Sequence, residues 1–294
     1  GNLRMRLPEV SGVLTTTAVA ATVESICAVQ LRDGCIPWFE GGHADPWDHV
    51  ESAMALTVGG RRSAADRAFE WLMAKQRADG SWAAYYQDGK IKDATFDANV
   101  TAYVATGVWH RFLVEGDTGF LEELWPVVER AAGFALDLQR PGGEILWSRD
   151  ATGKAVDYAL LTGSSSMHTS LRCALAIAQR LGHERPDWEL SIGALAHAVA
   201  HHPETFDPRE RWSMDWYYPV LGGAVTGEAG HARMQEEWSN FVVDGMGVRC
   251  VSDRPWVTGA ETCECALALH ALGRHDDALA LFTCFVCGFV VLTV

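Results

Sequence analysis

Three stretches of the chain repeat one another: "VQLRDGCIPW" (29–38), "KQRADGSWAAYY" (75–86) and "LQRPGGEILW" (138–147). Each places a glutamine at the end of a helical pattern, then Asp-Gly or Gly-Gly, then an aromatic residue. The glycine suits the left-handed position that closes a helix, and the chain then enters a tryptophan-bearing loop. A looser fourth copy is "VVDGMGVRCVSDRPW" (242–256). Repeats at this spacing imply stacked supersecondary units.

Between these loops the apolar residues recur with a 3.6-residue period. The periodicity predicts helices near 15–30, 46–58, 61–76, 98–114, 118–139, 164–181, 188–201, 216–226, 229–241, 259–272 and 275–288. Strand signals are weak, because no sustained alternation of apolar and polar residues stands out. Tight turns such as "VEGDTGF" alternate with long aromatic loops, so the expected fold is all-α. It is an (α/α)6-type toroid of helical hairpins, read as one domain over 1–294 with 1–14 as an N-terminal arm. In a closed ring the long loops share one end, where the inner helices begin, and that end is the expected active face.

Six hairpins need twelve helices, and eleven are visible. The ending "LFTCFVCGFVVLTV" reads as apolar on all sides. Either the last helix pairs irregularly, or the chain stops one helix short and exposes a seam that a second copy covers, as a homo-oligomer.

A 48% hydrophobic share and 21% charged residues belong to a globular protein with a large core. The net charge of −14 argues against nucleic acid or an anionic membrane as partner. The eight cysteines are scattered through apolar segments, which reads as reduced core thiols rather than a disulfide framework. "GNLRMRLPEVSG" contains no apolar signal core, and the longest apolar run falls short of the roughly 20 residues that span a bilayer. A cytoplasmic protein without a membrane span is the expectation.

Two resemblances follow. "GDTGFLEELWPVVERAAGFALDLQ" (116–139) resembles the outer helix of the six-hairpin glycosidases, especially the glucoamylase-like ones. "ETCECALALHALGRHDDALALF" (261–282) is similar to a late hairpin of the same enzymes, and "ILWSRD" and "LLTGSSSMHTSLRCALAIAQRLG" fit their order of segments. The resemblance implies the toroid and a sugar-processing activity. That family carries its general acid in a Leu-Trp-Glu pattern, where this chain has Leu146-Trp147-Ser148. The family's base lies in a final segment with no counterpart before Val294. Separately, "QRADGSW" resembles the Q-W element of the squalene-cyclase and prenyltransferase toroids. The pattern "PWDHVESAMAL…QRADGSW…WYYPVLGG" resembles actinobacterial chains labelled prenyltransferase-like. The DxDD and DDxxD acid motifs of terpenoid chemistry are absent.

The presumed helix mouths supply the candidate residues. In "IPWFEGGHADPWDHVESAMAL" (36–56), Asp45 reads as a cap with Pro46 at the first helical position, leaving Asp48 and His49 on the first turn. Asp97 repeats the arrangement before 98–114. Ser165 and His168 stand at the start of the helix near 164–181, as caps and hydroxyl donors rather than a hydrolase nucleophile. Tyr-Tyr-Pro in "RWSMDWYYPVLGG" (211–223) suits a wall of aromatics beside Asp215 better than a core helix, because the residue before proline avoids the α region. Glu261 stands on the first turn of a later helix, with Arg249 and Arg254 upstream as possible partners.

The catalytic candidates are therefore Asp48, Asp97, Asp215 and Glu261. The candidates for substrate contact are Trp38, His43, His49, Trp82, Tyr86, Trp147, Ser165, His168, Trp212, Trp216, Tyr217, Arg249, Arg254 and Trp256. Neither a metal nor another cofactor is expected, since Cys263 and Cys265 at i, i+2 point to different sides of a helix. Carboxylates with aromatic faces suit a carbohydrate-active enzyme acting on an oligosaccharide or other small glycoside, and acids about 6–10 Å apart would suit inversion. A terpenoid cyclase or prenyltransferase, and a non-catalytic glycan- or protein-binding toroid, are the alternatives.

Overall fold

The structure, a computed structural model, describes residues 6–291, with side chains given as far as residue 286. The chain folds into two compact units. The first comprises residues up to 139 together with 146–157 and 170–189; the second comprises 140–145, 158–169 and 190 onward.

The first unit is built on α1 (Thr16–Val29), α2 (Pro46–Val58), α3 (Arg62–Lys75), α4 (Ala98–Glu115) and α5 (Thr118–Asp137). Their starts follow from capping chemistry. Thr15, Asp45, Asp97 and Asp117 each accept a backbone N–H from the first turn of the helix that follows. α2 packs on both α3 and α4, and α4 on α5, burying Val50, Leu56, Phe69, Leu72, Val104, Val108, Leu121 and Leu124. Within this core Arg111 is only 2% exposed, ion-paired with Asp66 and Glu115 and set over the Phe120 ring.

The repeated glutamine has a clear physical role. Gln76 donates its amide to Gly80 O at 3.0 Å, across its own turn, and to Val127 O at 2.9 Å on α5, while Arg130 donates back to the Gln76 oxygen at 2.7 Å. Gln30 makes the same three contacts with Gly34 O, Ala64 O and Arg67. Each clamp draws a loop against the helix after next, the loop following α1 against α3 and the loop following α3 against α5, so closely that only glycine fits. A Cβ on Gly34 or Gly80 would lie 2.0 or 2.1 Å from the carbonyl oxygen of Arg67 or Arg130, and both glycines have positive φ. In the second unit Gly143 approaches Ala194 O in the same way.

α6 (Leu161–Arg180) runs from the second unit into the first, and α7 (Pro186–His201) returns. The second unit continues with α8 (Ser213–Leu221), α9 (Gly227–Glu236), α10 (Trp238–Phe241), α11 (Gly259–Ala271) and α12 (His275–Val291). α11 packs on α8 and α12 around Tyr217, Val220, Cys265, Leu269 and Leu281.

All eleven expected helices are present, and the segment 229–241 is two helices rather than one, so the described residues hold twelve. Two expectations need correction. The "WYYP" stretch is a core helix despite Pro219. Proline removes the N–H that would reach Asp215 O, and Arg233 supplies the missing donor at 2.9 Å while also bonding Trp216 O at 2.8 Å. The fourth copy is not a helix-ending turn: Val242–Val243 and Gly247–Arg249 pair antiparallel, with Val257–Thr258 as a third strand. No glutamine stands there to make a clamp. The apolar ending, on which the seam was expected, lies partly outside the described residues.

Candidate active site

The mouth in the first unit gathers around α2 and the loop before it. Asp45 is buried and caps α2 through Asp48 N; its second oxygen accepts the Trp38 indole N–H at 2.6 Å. That bond orients Trp38 with 51% of its surface in solvent, while His43 packs on it at 4.4 Å and Tyr85 at 6.1 Å. Asp48 is exposed, and the groove beside it is lined also by Ile36, Trp38, Phe39, Glu40 and Glu51.

Asp97, 7% exposed, caps α4 through Val100 N at 2.9 Å. Burial, with Asp45 nearby, pushes its pKa up to about 7 despite the backbone donors around it. Tyr85 is raised as well, by desolvation and then by Asp45, Asp48, Asp93 and Asp97, so this mouth is an acidic cluster around one tyrosine. Ser148, at the position of the glucoamylase-like acid, pairs backbone to backbone with Asp97.

Glu51, one turn along α2 from Asp48, is a member that the sequence reading did not include. It accepts the Tyr103 hydroxyl, and crowding around its carboxyl raises its pKa although the side chain still reaches solvent. Trp47 stacks on Tyr103 at 3.5 Å. The i, i+3 spacing from Asp48 was the available signal.

Three expected contact residues are core residues instead. His49 is fully buried, takes Ile36 N on Nδ1 and donates from Nε2 to Ala68 O, and burial lowers its pKa to about 4. Trp82 is fully buried with its indole N–H on Leu72 O. The Tyr86 hydroxyl accepts Ala83 N. In each, the polar atoms are spent on backbone groups, which is what a buried polar tip requires. Trp147 is half-buried, its carbonyl accepting Ala98 N.

In the second unit, Glu261 is 6% exposed at the start of α11, where it accepts the Thr258 hydroxyl and contacts the Cys250 thiol. One turn on, Glu264 accepts hydroxyls from both Tyr217 and Tyr218. Tyr217 and Trp216 are therefore core side chains, Trp216 stacking on Phe241 and donating to Arg233 O. Asp215 lies half-buried in a small cavity with Glu210, Arg233, Glu236 and Glu237, and desolvation lifts its pKa to about 6. Its Oδ1 has no hydrogen-bond partner.

His168 bonds Gly222 O at 2.6 Å, and Ser165 is fully buried with an unpartnered hydroxyl. Arg249 is half-buried with Nε unpartnered. Trp212 and Trp256 are 40% and 57% exposed, each with an arginine over its ring, Arg211 and Arg254 respectively. Among the described residues no group of three or more His, Cys, Asp or Glu is placed to hold a metal, and no helix is long and apolar enough to cross a membrane.

No protein-family model matches the chain. Over 279 residues, 94% of the chain and 77% of the relative, it is 55% identical to the MMP endo-(1,4)-3-O-methyl-α-D-mannosidase of Mycolicibacterium hassiacum. The chain belongs to that enzyme's family. It is a glycoside hydrolase, and the terpenoid alternative is not favoured. An uncharacterised glycosyl hydrolase of Methanocaldococcus jannaschii is 26% identical over 152 residues, half of this chain and 24% of that one.

Among solved structures, this hydrolase is similar to a GH63 mannosylglycerate hydrolase from Thermus thermophilus, with a TM-score of 0.71 at 11% identity. That match covers 90% of this chain and 89% of the other. An α-amylase from Clostridium perfringens gives 0.68 at 9% identity, covering 98% and 90%. At such identities the likeness concerns fold alone, and the fold class is that of the α/α-toroid glycosidases.

Proposed function

We propose that this hydrolase cleaves internal α-(1,4) bonds between 3-O-methylated mannose units. The observation that carries the reading is the 55% identity, along nearly the whole chain, to an enzyme named for that reaction. Glycoside hydrolysis needs a carboxylic acid to protonate the leaving oxygen and a carboxylate to activate water or attack the anomeric carbon. In the first unit we assign Asp48 to the chemistry, since it reaches solvent on the first turn of α2 beside an aromatic platform. Asp97 accompanies it as a carboxyl that keeps its proton near neutral pH, the property a general acid requires. In the second unit the candidates are Glu261 and Asp215, tested separately. Trp38, His43, Trp147, Trp212, Trp256, Arg249 and Arg254 are the proposed sugar contacts.

The test is incubation with an α-(1,4)-linked 3-O-methylmannose oligosaccharide, followed by mass analysis of the products. Internal fragments of several lengths are expected. Release of single sugars from one end would overturn the endo reading, and no release would overturn the substrate.

A cytoplasmic site of action is part of the proposal, supported by seven described cysteines that are all free thiols. A homo-oligomer joined through α11 and α12 is supported by the exposed Leu267 and Leu279 there, and light scattering on the eluted protein tests it.

A further inference from the structure

The groove beside Asp48 has two chemically different walls. One, from α1 and the loop after it, is mostly apolar: Ile26 and Val29 from the last turns of α1, Ile36 and Pro37 from the loop, and the exposed rings of Trp38 and Phe39, with Ser25 and Glu40 as its polar members. The other is α2, which presents Asp48 and Glu51 one turn apart, with Ser52 beside them. The volume is about 650 Å³, within the range of roughly 300–1,000 Å³ usual for small-ligand sites.

Several features point to a sugar of mixed polarity as occupant. Phe39 is 59% exposed and Trp38 51%, an area of aromatic surface that packing does not use. Trp38 is nevertheless held in place by its bond to Asp45. Glu51 is held by the Tyr103 hydroxyl, with Trp47 stacked behind that tyrosine, so its carboxylate is positioned in advance of any ligand. Carboxylates accept sugar hydroxyls well. Ile26, Val29 and the Phe39 ring offer no acceptor, so hydroxyls on that wall can be met only at Ser25 and Glu40.

A 3-O-methyl group replaces a hydroxyl donor by a small apolar group on one edge of the mannose ring, leaving the remaining hydroxyls as donors. We propose that this groove is a subsite selecting 3-O-methylated mannose, with Ile26, Val29 and Phe39 receiving the methyl ether and Glu51, one turn from the reacting Asp48, accepting a free hydroxyl. An unmethylated ring would bury its 3-hydroxyl against side chains without acceptors, and the loss of one well-packed methyl is itself worth about tenfold. The inference deepens the proposed function and rests on it.

The test compares kcat/KM for methylated and unmethylated α-(1,4)-oligomannosides in the wild type, Val29→Asn, Phe39→Ala and the control Leu190→Ala, an exposed leucine of α7. The wild type and the control should prefer the methylated glycan by about tenfold or more. Val29→Asn and Phe39→Ala should lose most of that ratio through the methylated substrate, with circular dichroism confirming that both fold. A ratio unchanged in both variants overturns the subsite. If the wild type cleaves neither glycan, the functional reading falls, and calorimetry with the same two glycans decides the groove. Tighter binding of the methylated form, lost in Val29→Asn, supports it; equal binding overturns it.

Discussion

Asp97 and His49 are both buried in the first unit, and their ionisations run against each other. Asp97 has a folded pKa near 7 against an ordinary 3.8, so the stability gained by holding that proton is present below pH 3.8 and is lost as pH rises to 7. His49 has a folded pKa near 4 against 6.5, so the fold loses stability as pH falls from 6.5 toward 4. Asp97→Asn keeps a good helix cap while removing the ionisation. Urea unfolding should show the variant more stable than the wild type at pH 8, by no more than about 4 kcal/mol, and nearly equal at pH 4. A variant less stable at both values would mean that the carboxylate is paired rather than stranded. Asp48→Asn, by contrast, should leave stability within about 0.5 kcal/mol, as expected of an exposed side chain, and lower kcat by about 10²–10⁴. Retention of full activity would remove Asp48 from the chemistry. Single-residue roles were the least legible part of the sequence. A mouth-facing acid such as Asp48 and a capping acid such as Asp45 lie within one turn of each other at a helix start, and His49, expected to contact substrate, has both nitrogens on backbone groups.

The clamps and the proline helix define what the elements can tolerate. Gln76→Ala removes bonds to Gly80, Val127 and Arg130 and should cost about 1–3 kcal/mol by chemical unfolding. Gly80→Ala should cost more than Gln76→Ala, since a backbone oxygen 2.1 Å from the new Cβ has no flexible side chain to move. If Gly80→Ala is as stable as the wild type, the close approach has been misjudged. The repeat "Q…DG" was readable because glutamine and glycine each have a specific task there. The proline helix was not, because the donor that replaces the missing N–H, Arg233, is contributed by a different helix. The short strands were also missed, although Asp88-Gly89, both with positive φ, is a primed hairpin turn that the sequence "QDGK" does signal.

At the scale of the molecule, helix number and order were almost fully legible, because amphipathic periodicity and caps agree along most of the chain. Chemistry was legible only by resemblance, since acids, tryptophans and histidines serve the core as readily as a substrate. The free thiols give one whole-molecule prediction: melting should be unchanged, within about 1 °C, on adding reductant, and a clear drop would reveal a disulfide among the cysteines. The glutamine clamps carry a further consequence. They anchor each loop at its root and ignore its tip, so the exposed tips at 39–41 and 88–93 can be lengthened or replaced while the buried residues and the caps Asp45 and Asp97 are kept. Such a frame separates what holds the helices from what faces solvent, and the same fold is shared with solved structures at 9–11% identity.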